Sequence, residues 1–406
     1  MKKILAILIF ITITLNMFSC GKGSSDKNAS WDSKIVTENG EKVIKIGVFE
    51  PLSGDKSDSG KQELYGIRYA NRIYNNVNIQ GTNYRIVLDE VDNKSDSAES
   101  KDVSQGLISD KVAVVLGSYG SDESIAAGPN FKNAGVPAIA CSSTNPQVTN
   151  GNNYYFSTCF IDPFQAAVTA IYCRNRGYSK VAVITDDDEY TISLGNYFIY
   201  ACENKGVGID VVAVEKINDN DQMIDIALNK IKNENPQFVF IPLSTNIVEN
   251  VYNKAKSIDL ECQFGGIDNL ENLKPNDSNE GIVFTTFYNA DYSVNDGEEA
   301  IFLRGNNIGE TSTGFASYLT NVEKESANFL SVAALGYDAY LAAYKAIEMA
   351  QSTKGSDIRE ALTKVSFEGA TGAISFNSDG YLNRQEVCIK EIENGRFVLK
   401  DFVKLN

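Results

Sequence analysis

From Val43 onward the chain alternates short apolar runs with longer segments whose apolar residues recur every three or four positions. VIKIGVF (43–49), VAVVLG (112–117), VPAIAC (136–141), KVAVIT (180–185), QFVFIP (237–242) and GIVFTTF (281–287) are almost continuously apolar. Runs of that length, bounded by turn residues, predict strands buried on both faces. YRIVLDEV (84–91), IDVVAV (209–214) and CQFGG (262–266) add further strands. Leu64, Ile67, Ala70, Ile73 and Val77 recur at helical spacing, and 97–108, 123–133, 164–176, 191–204, 222–233 and 247–257 do likewise. The alternation predicts parallel sheets covered by helices, and its restart after Asp162-Pro163 predicts two similar α/β lobes. The tail differs. Segment 327–350 is apolar nearly all round, which predicts a buried helix, and 373–403 reads as hairpin strands turning at Asp379-Gly380 and Asn394-Gly395. Segment 289–312 is the least patterned and reads as a surface insertion.

Composition narrows the chemistry. A chain of 406 residues with 43% hydrophobic content has the length of about two domains. Its 37 basic residues stand against 53 acidic ones, a net charge of −16, so no cationic stripe is available for a nucleic-acid partner. There is no histidine. That removes the commonest general base, the Ser-His and Cys-His nucleophile pairs, and imidazole metal ligands. The chain also lacks a GxSxG elbow and a P-loop. Binding rather than catalysis is expected, with no cofactor and no metal.

The first residues carry an address. Lys2 and Lys3 precede an apolar run from Ile4 to Leu15, too short to span a bilayer and of signal-peptide size. Ser19-Cys20-Gly21 and a Gly/Ser-rich stretch follow, the layout of a bacterial lipoprotein signal: residues 1–19 removed, Cys20 lipidated, 20–42 a flexible tether. Met17 and Phe18 depart from the usual pattern, and an ordinary cleaved signal is the alternative. The remaining cysteines are 141, 159, 173, 202, 262 and 388; none forms a CxxC pair, and Cys173 and Cys202 read as small buried thiols within helices.

In open parallel sheets, ligands lie beyond the carboxyl ends of the strands, where helix N-termini point. Ser118, Tyr119, Gly120 and Ser121 follow one strand; Ser142, Ser143 and Thr144 follow the next. Their hydroxyls and free N–H groups make either an anion cradle or simple helix caps. Asp186 to Glu189 is an acidic turn with no EF-hand spacing, better read as solvated than as a calcium site. Asp268 places a carboxylate at a strand end in the second block. A cradle on one lobe and a carboxylate on the other suit a zwitterion, with hinge closure as the functional motion.

At these positions the chain resembles the leucine/isoleucine/valine-type periplasmic binding proteins of ABC transporters. The motifs are IKIGVFEPLSG (44–54), VVLGSYGS (114–121), AGVPAIACSSTNPQVT (134–149), FIDPFQ (160–165), QFGGIDN (263–269) and LGYDAY (335–340). The resemblance implies a type I periplasmic binding fold of two Rossmann-like lobes joined by a three-strand hinge. It places 43–161 with 289–367 in the first lobe and 162–288 with 368–406 in the second. It implies that Ser121, Ser142 and Thr144 grip an α-carboxylate and α-ammonium, that Asp268 binds the ammonium, and that Tyr190 closes over the ligand. It also implies an amino-acid ligand, a permease with separate ATPase subunits, a monomer, and a bilayer reached only through the N-terminal anchor, on the outer face of the cytoplasmic membrane. A ligand-sensing module for an amide or short peptide is the alternative. Ser59 and Ser244 stand where the branched-chain binders carry aromatics, and Tyr119 and Glu50 replace an aliphatic residue and a glycine. A more polar, even cationic, side chain is therefore expected, with Glu50 either touching it or held in a surface ion pair. Gly120 occupies one position of a family disulfide.

Overall fold

The computed structural model describes residues 36–38, 40–203, 206–218, 220–288, 302, 314–326, 331–384 and 386–405. Cys20, the tether's first part and nearly all of the 289–312 segment lie outside them. Two seven-stranded sheets carry the molecule. The first is ordered β3-β4-β2-β5-β6-β7, built from β2 (Glu41–Glu50), β3 (Asn76–Ile79), β4 (Thr82–Asp92), β5 (Val114–Leu116), β6 (Ala138–Ala140) and β7 (Tyr155–Ser157). β1 (Val36–Glu38) is added against β2. Helices α1 (Ser57–Ile73), α2 (Ser97–Ser109) and α3 (Ser121–Ala134) connect the strands. β2, β4, β5, β6 and β7 are parallel, while β3 is an antiparallel edge.

The second sheet alternates β8 (Lys180–Thr185), β9 (Asp210–Lys216), β10 (Phe238–Phe240), β11 (Gln263–Gly266) and β12 (Val283–Thr286) with α4 (Asp162–Asn175), α5 (Glu189–Glu203), α6 (Asp221–Glu234) and α7 (Thr245–Ser257). Between β12 and the tail lies the passage to the long helix Ser331–Ala350. β13 (Ser366–Gly369) and β14 (Gly372–Ser375) form a separate hairpin. β15 (Glu386–Glu393) and β16 (Arg396–Lys404) turn at Asn394-Gly395, as expected, and extend the second sheet antiparallel to β12.

Period-two alternation explains the layers. On β5, Val114 and Leu116 enter one core while Val115 enters the core on the opposite face. On β10, Phe238 and Phe240 face one side and Val239 the other. Each sheet is thus buried on both faces, at about 1.5–3 kcal/mol per large side chain. The long helix is buried along most of its length, including Tyr337 and Tyr340. It presses against α1 so closely that a Cβ on Gly66 would lie 1.9 Å from the Ala333 carbonyl, and one on Gly336 2.3 Å from that of Glu63. Glycine at both positions sets the depth of α1 and of the face it presents to the cleft.

One expectation changes. Val77 lies on β3, because the helix stops at Ile73 and the chain reverses into an edge strand. Asp379-Gly380 turns the chain as expected, joining Phe376 and Leu382 in a short antiparallel bridge, while β14 pairs back onto β13. Ala370, Ile374, Phe376 and Leu382 pack in the same core as Ile46, Val114 and Leu116 of the first sheet. All six described cysteines are free thiols, and Cys173 and Cys202 are fully buried.

Candidate functional site

Neighbouring strands of the first sheet end side by side. β2 ends at Glu50, β5 runs into residues 117–121, and β6 runs into 141–144. From the second sheet, β11 delivers Asp268, and α4 starts at Asp162. The polar groups at these ends are tied to one another. Ser121 Oγ accepts the Asn145 N–H at 3.3 Å. The Thr144 carbonyl accepts the Asp162 N–H at 3.0 Å. Gln165 Oε1 accepts the Asp268 N–H at 3.2 Å and the Thr285 hydroxyl at 2.7 Å. Ser59 reaches across from α1 to within 3.4 Å of Asn272 Oδ1.

The expected residues separate into groups. Ser142 and Thr144 are buried at the end of β6, and Ser121 opens α3, partly exposed. Ser143 is buried too, but its hydroxyl bonds Ser118 O at 2.6 Å and Ser124 Oγ at 2.9 Å. It fastens one loop to the next. Tyr119 and Tyr190 are partly buried. Burial, then the nearby Asp268 carboxylate, pushes the Tyr119 hydroxyl up to about 12; burial and the charges of Asp162 and Asp268 push Tyr190 up as well. Both rings therefore stand beside the acidic groups as neutral hydroxyls. Ser244 is exposed at the start of α7, and no hydrogen bond joins its side chain to this group among the described residues.

Glu50 corrects one alternative. It is not a surface residue and has no ion-pair partner among the described residues; it is 0% exposed. Its carboxylate accepts the Tyr119 N–H at 2.7 Å, with the Cys141 thiol 3.8 Å away. Beside it sits Glu63, also 0% exposed, which the sequence reading passed over. Glu63 accepts a hydrogen bond from the Ser142 hydroxyl, and its Oε2 meets no donor. One oxygen each of Glu50 and Glu63 and the Cys141 sulfur lie within 4.8 Å of one another. Two buried carboxylates bond each other only when one holds a proton. Burial, then the Glu63 charge, raises Glu50, and burial raises Glu63 to about 7.

Asp162 and Asp268 share that condition. Burial raises each to about 7, and in each the Oδ1 atom is buried without a hydrogen-bond partner. Neither forms an ion pair among the described residues. Asp162, Gln165 and Asn272 were also missed as site residues. Asp162-Pro163 was legible only as a helix start, which it is. Glu63 did leave a signal, since it lies on the stripe of Gly60, Leu64, Ile67 and Ala70 that α1 buries. An acid on a buried helix face is the exception to explain. The acidic turn 186–189 caps the start of α5, with Asp188 Oδ1 accepting the Tyr190 N–H at 2.8 Å.

Two α/β sheets whose strand ends converge on an acid-lined, hydroxyl-rimmed cleft define a two-lobe solute-binding fold. A family model described as periplasmic binding protein matches residues 43–396, and the chain belongs to that family. It is 23% identical over 356 residues to the leucine-, isoleucine-, valine-, threonine-, and alanine-binding protein of Pseudomonas aeruginosa, covering 86% of this chain and 90% of that one. It is 25% identical to the branched-chain amino acid transporter substrate binding protein LivJ from Streptococcus pneumoniae, solved in complex with isoleucine, with a TM-score of 0.73 and coverage of 89% and 100%. A solute binding protein from R. palustris in complex with benzoate shares the fold at a TM-score of 0.70 and 18% identity, over 89% of this chain and 96% of that one. No described helix is long and apolar enough to cross a membrane.

Proposed function

We propose that this protein is an extracytoplasmic lipoprotein, anchored through Cys20, that captures an amino acid between its lobes and hands it to an ABC permease with separate ATPase subunits. The α-carboxylate rests on the Ser121 and Thr144 cradle, and the α-ammonium goes to Asp268, with Tyr190 and Tyr119 closing over it. The lobes meet at passages near 161–163, 287–288 and just after Leu382, and closing about them completes the site. The observation that carries this reading is the Asp268 carboxylate, buried with an unpartnered oxygen opposite a cradle of hydroxyls. A buried carboxylate is stable as an ion only with a cation beside it, and an ammonium supplies one. The names of the relatives point the same way.

A thermal-shift panel tests it, using protein unfolded and refolded to remove carried-over solute. An amino acid at a hundredfold excess over its Kd adds about 2.7 kcal/mol to stability. One or more of the twenty amino acids should raise the midpoint, and Asp268→Ala should abolish the shift. No shift with any of them contradicts the reading.

A further inference from the structure

A zwitterion brings one ammonium to a cleft that holds more carboxylates than one ammonium can answer. Asp268, with Asp162 beside it, accounts for the α-ammonium in the reading above. Glu63 is left over. It sits one helical turn from Ser59 on the same face of α1, and Ser59 is the residue that reaches across to Asn272. It is bonded to Ser142, next but one to the Thr144 of the cradle. Glu63 is thus buried directly behind Ser59 and Ser142.

The hydrogen-bond inventory there is lopsided. One Glu50 oxygen takes the Tyr119 N–H and the other faces the Cys141 thiol. One Glu63 oxygen takes the Ser142 hydroxyl, while Oε2 is buried and faces no donor. No lysine or arginine among the described residues pairs with either acid. The polar side chains at this end are Ser59 and Asn272, and the Tyr119 hydroxyl reaches both.

We propose that the cleft selects an amino acid whose side chain carries a second cationic nitrogen, and that Glu63, backed by Glu50, receives that nitrogen. This rests on the amino-acid reading given above and deepens it. Glu63 Oε2 is the acceptor for the incoming N–H, and the Glu50–Glu63 pair supplies one net negative charge beneath it. Burial raises the affinity of Glu63 for protons, as for any carboxylate with no cation beside it among the described residues. A divalent metal on Glu50, Glu63 and Cys141 is the competing occupant. It would require the Cys141 thiolate, and burial together with both neighbouring carboxylates keeps that thiol protonated.

Calorimetry with side-chain isosteres tests the proposal on refolded wild-type protein at pH 8. Lysine is compared with norleucine and arginine with citrulline, pairs that differ at the terminal group. At least one cationic member should bind about tenfold or more tighter than its neutral partner, and Glu63→Gln should narrow that gap to about threefold or less. Norleucine or leucine binding as tightly as the cationic amino acids overturns the proposal and leaves the amino-acid reading standing. A gap that Glu63→Gln does not narrow also overturns it. Binding of none of these amino acids overturns the proposal and leaves the amino-acid reading to the twenty-member panel. Zinc binding without amino acid, lost in Cys141→Ser, assigns the pair to a metal and overturns it too. The wild-type isostere comparison needs no variant, so a misfolded Glu63→Gln does not protect the proposal.

Discussion

Glu271 and Glu63 are hidden from water to nearly the same degree, 8% and 0% exposed, yet their surroundings differ in kind. Glu271 is answered on every side. Lys390 Nζ lies 2.8 Å from its Oε1, the Ser331 N–H is 3.0 Å from its Oε2, and the Ser331 hydroxyl also donates to it. These contacts tie β15 and the start of the long helix to the 3-10 turn after β11. Asp338, on the long helix, is held in the same manner by the N–H groups of Ala370 and Thr371 at 2.6 and 2.9 Å. Glu63, Asp162 and Asp268 each keep a buried oxygen with no donor. The first set joins segments of the fold, and the second set faces the cleft between lobes. Glu280 Oε2 is buried without a partner too, at the Asn394 turn away from these strand ends, so an unmet oxygen carries weight only beside the hydroxyls and acids of the proposed site.

The sharpest way to break this contrast is to strip Glu271 of its cation. Lys390→Met leaves a buried charge unpaired and should destabilise the protein by about 3–5 kcal/mol, read from urea unfolding. A loss below about 1 kcal/mol would mean that Glu271 is no better served than Glu63. Removing a cleft charge should do the opposite to stability. Asp268→Asn should leave the unliganded unfolding midpoint unchanged or higher, while costing about 2–5 kcal/mol of amino-acid affinity by calorimetry. The smallest effect is on pH. Glu63, Asp162 and Asp268 ordinarily titrate near 4.5, 3.8 and 3.8 and are raised to about 7 in the folded chain. Between those limits the folded state binds protons that the unfolded chain has released. These groups should therefore make the unliganded protein less stable as pH rises from about 4 to about 7, with no further loss above. Unfolding midpoints across that range should show the slope, and Asp162→Asn with Asp268→Asn should make it shallower.

Much of the fold was legible because burial writes itself into sequence. Strands such as 180–185 and helices such as 222–233 were read to within a residue or two of Lys180–Thr185 and Asp221–Glu234, since an apolar run or a 3.6-residue stripe admits few alternatives. What failed was short or edge structure. β7 is three residues long, and Val77 continued a helical spacing by coincidence before the chain reversed into β3. The site was legible where strand ends carry polar residues in a row, as at 142–144 and 268. It was not legible where a site residue sits inside a helix pattern, as Glu63 does, or serves as a helix start, as Asp162 does. Ser143 shows the converse, a cradle hydroxyl turned inward to Ser118. Local sequence gives the residue type, and only the tertiary packing decides which way its side chain faces.

The central claim is that the cleft's carboxylates wait, partly protonated, for a cationic group. Proton release on binding tests it directly. Titrating the tightest amino acid of the panel at pH 6.5, in two buffers of different ionisation enthalpy, separates the heat of released protons from the heat of binding. Release of about half a proton or more per amino acid bound is expected, falling toward zero at pH 8.5. Binding with no proton release at pH 6.5 would contradict it, because the carboxylates would then already be ionised in the empty cleft or would take no part in holding the solute.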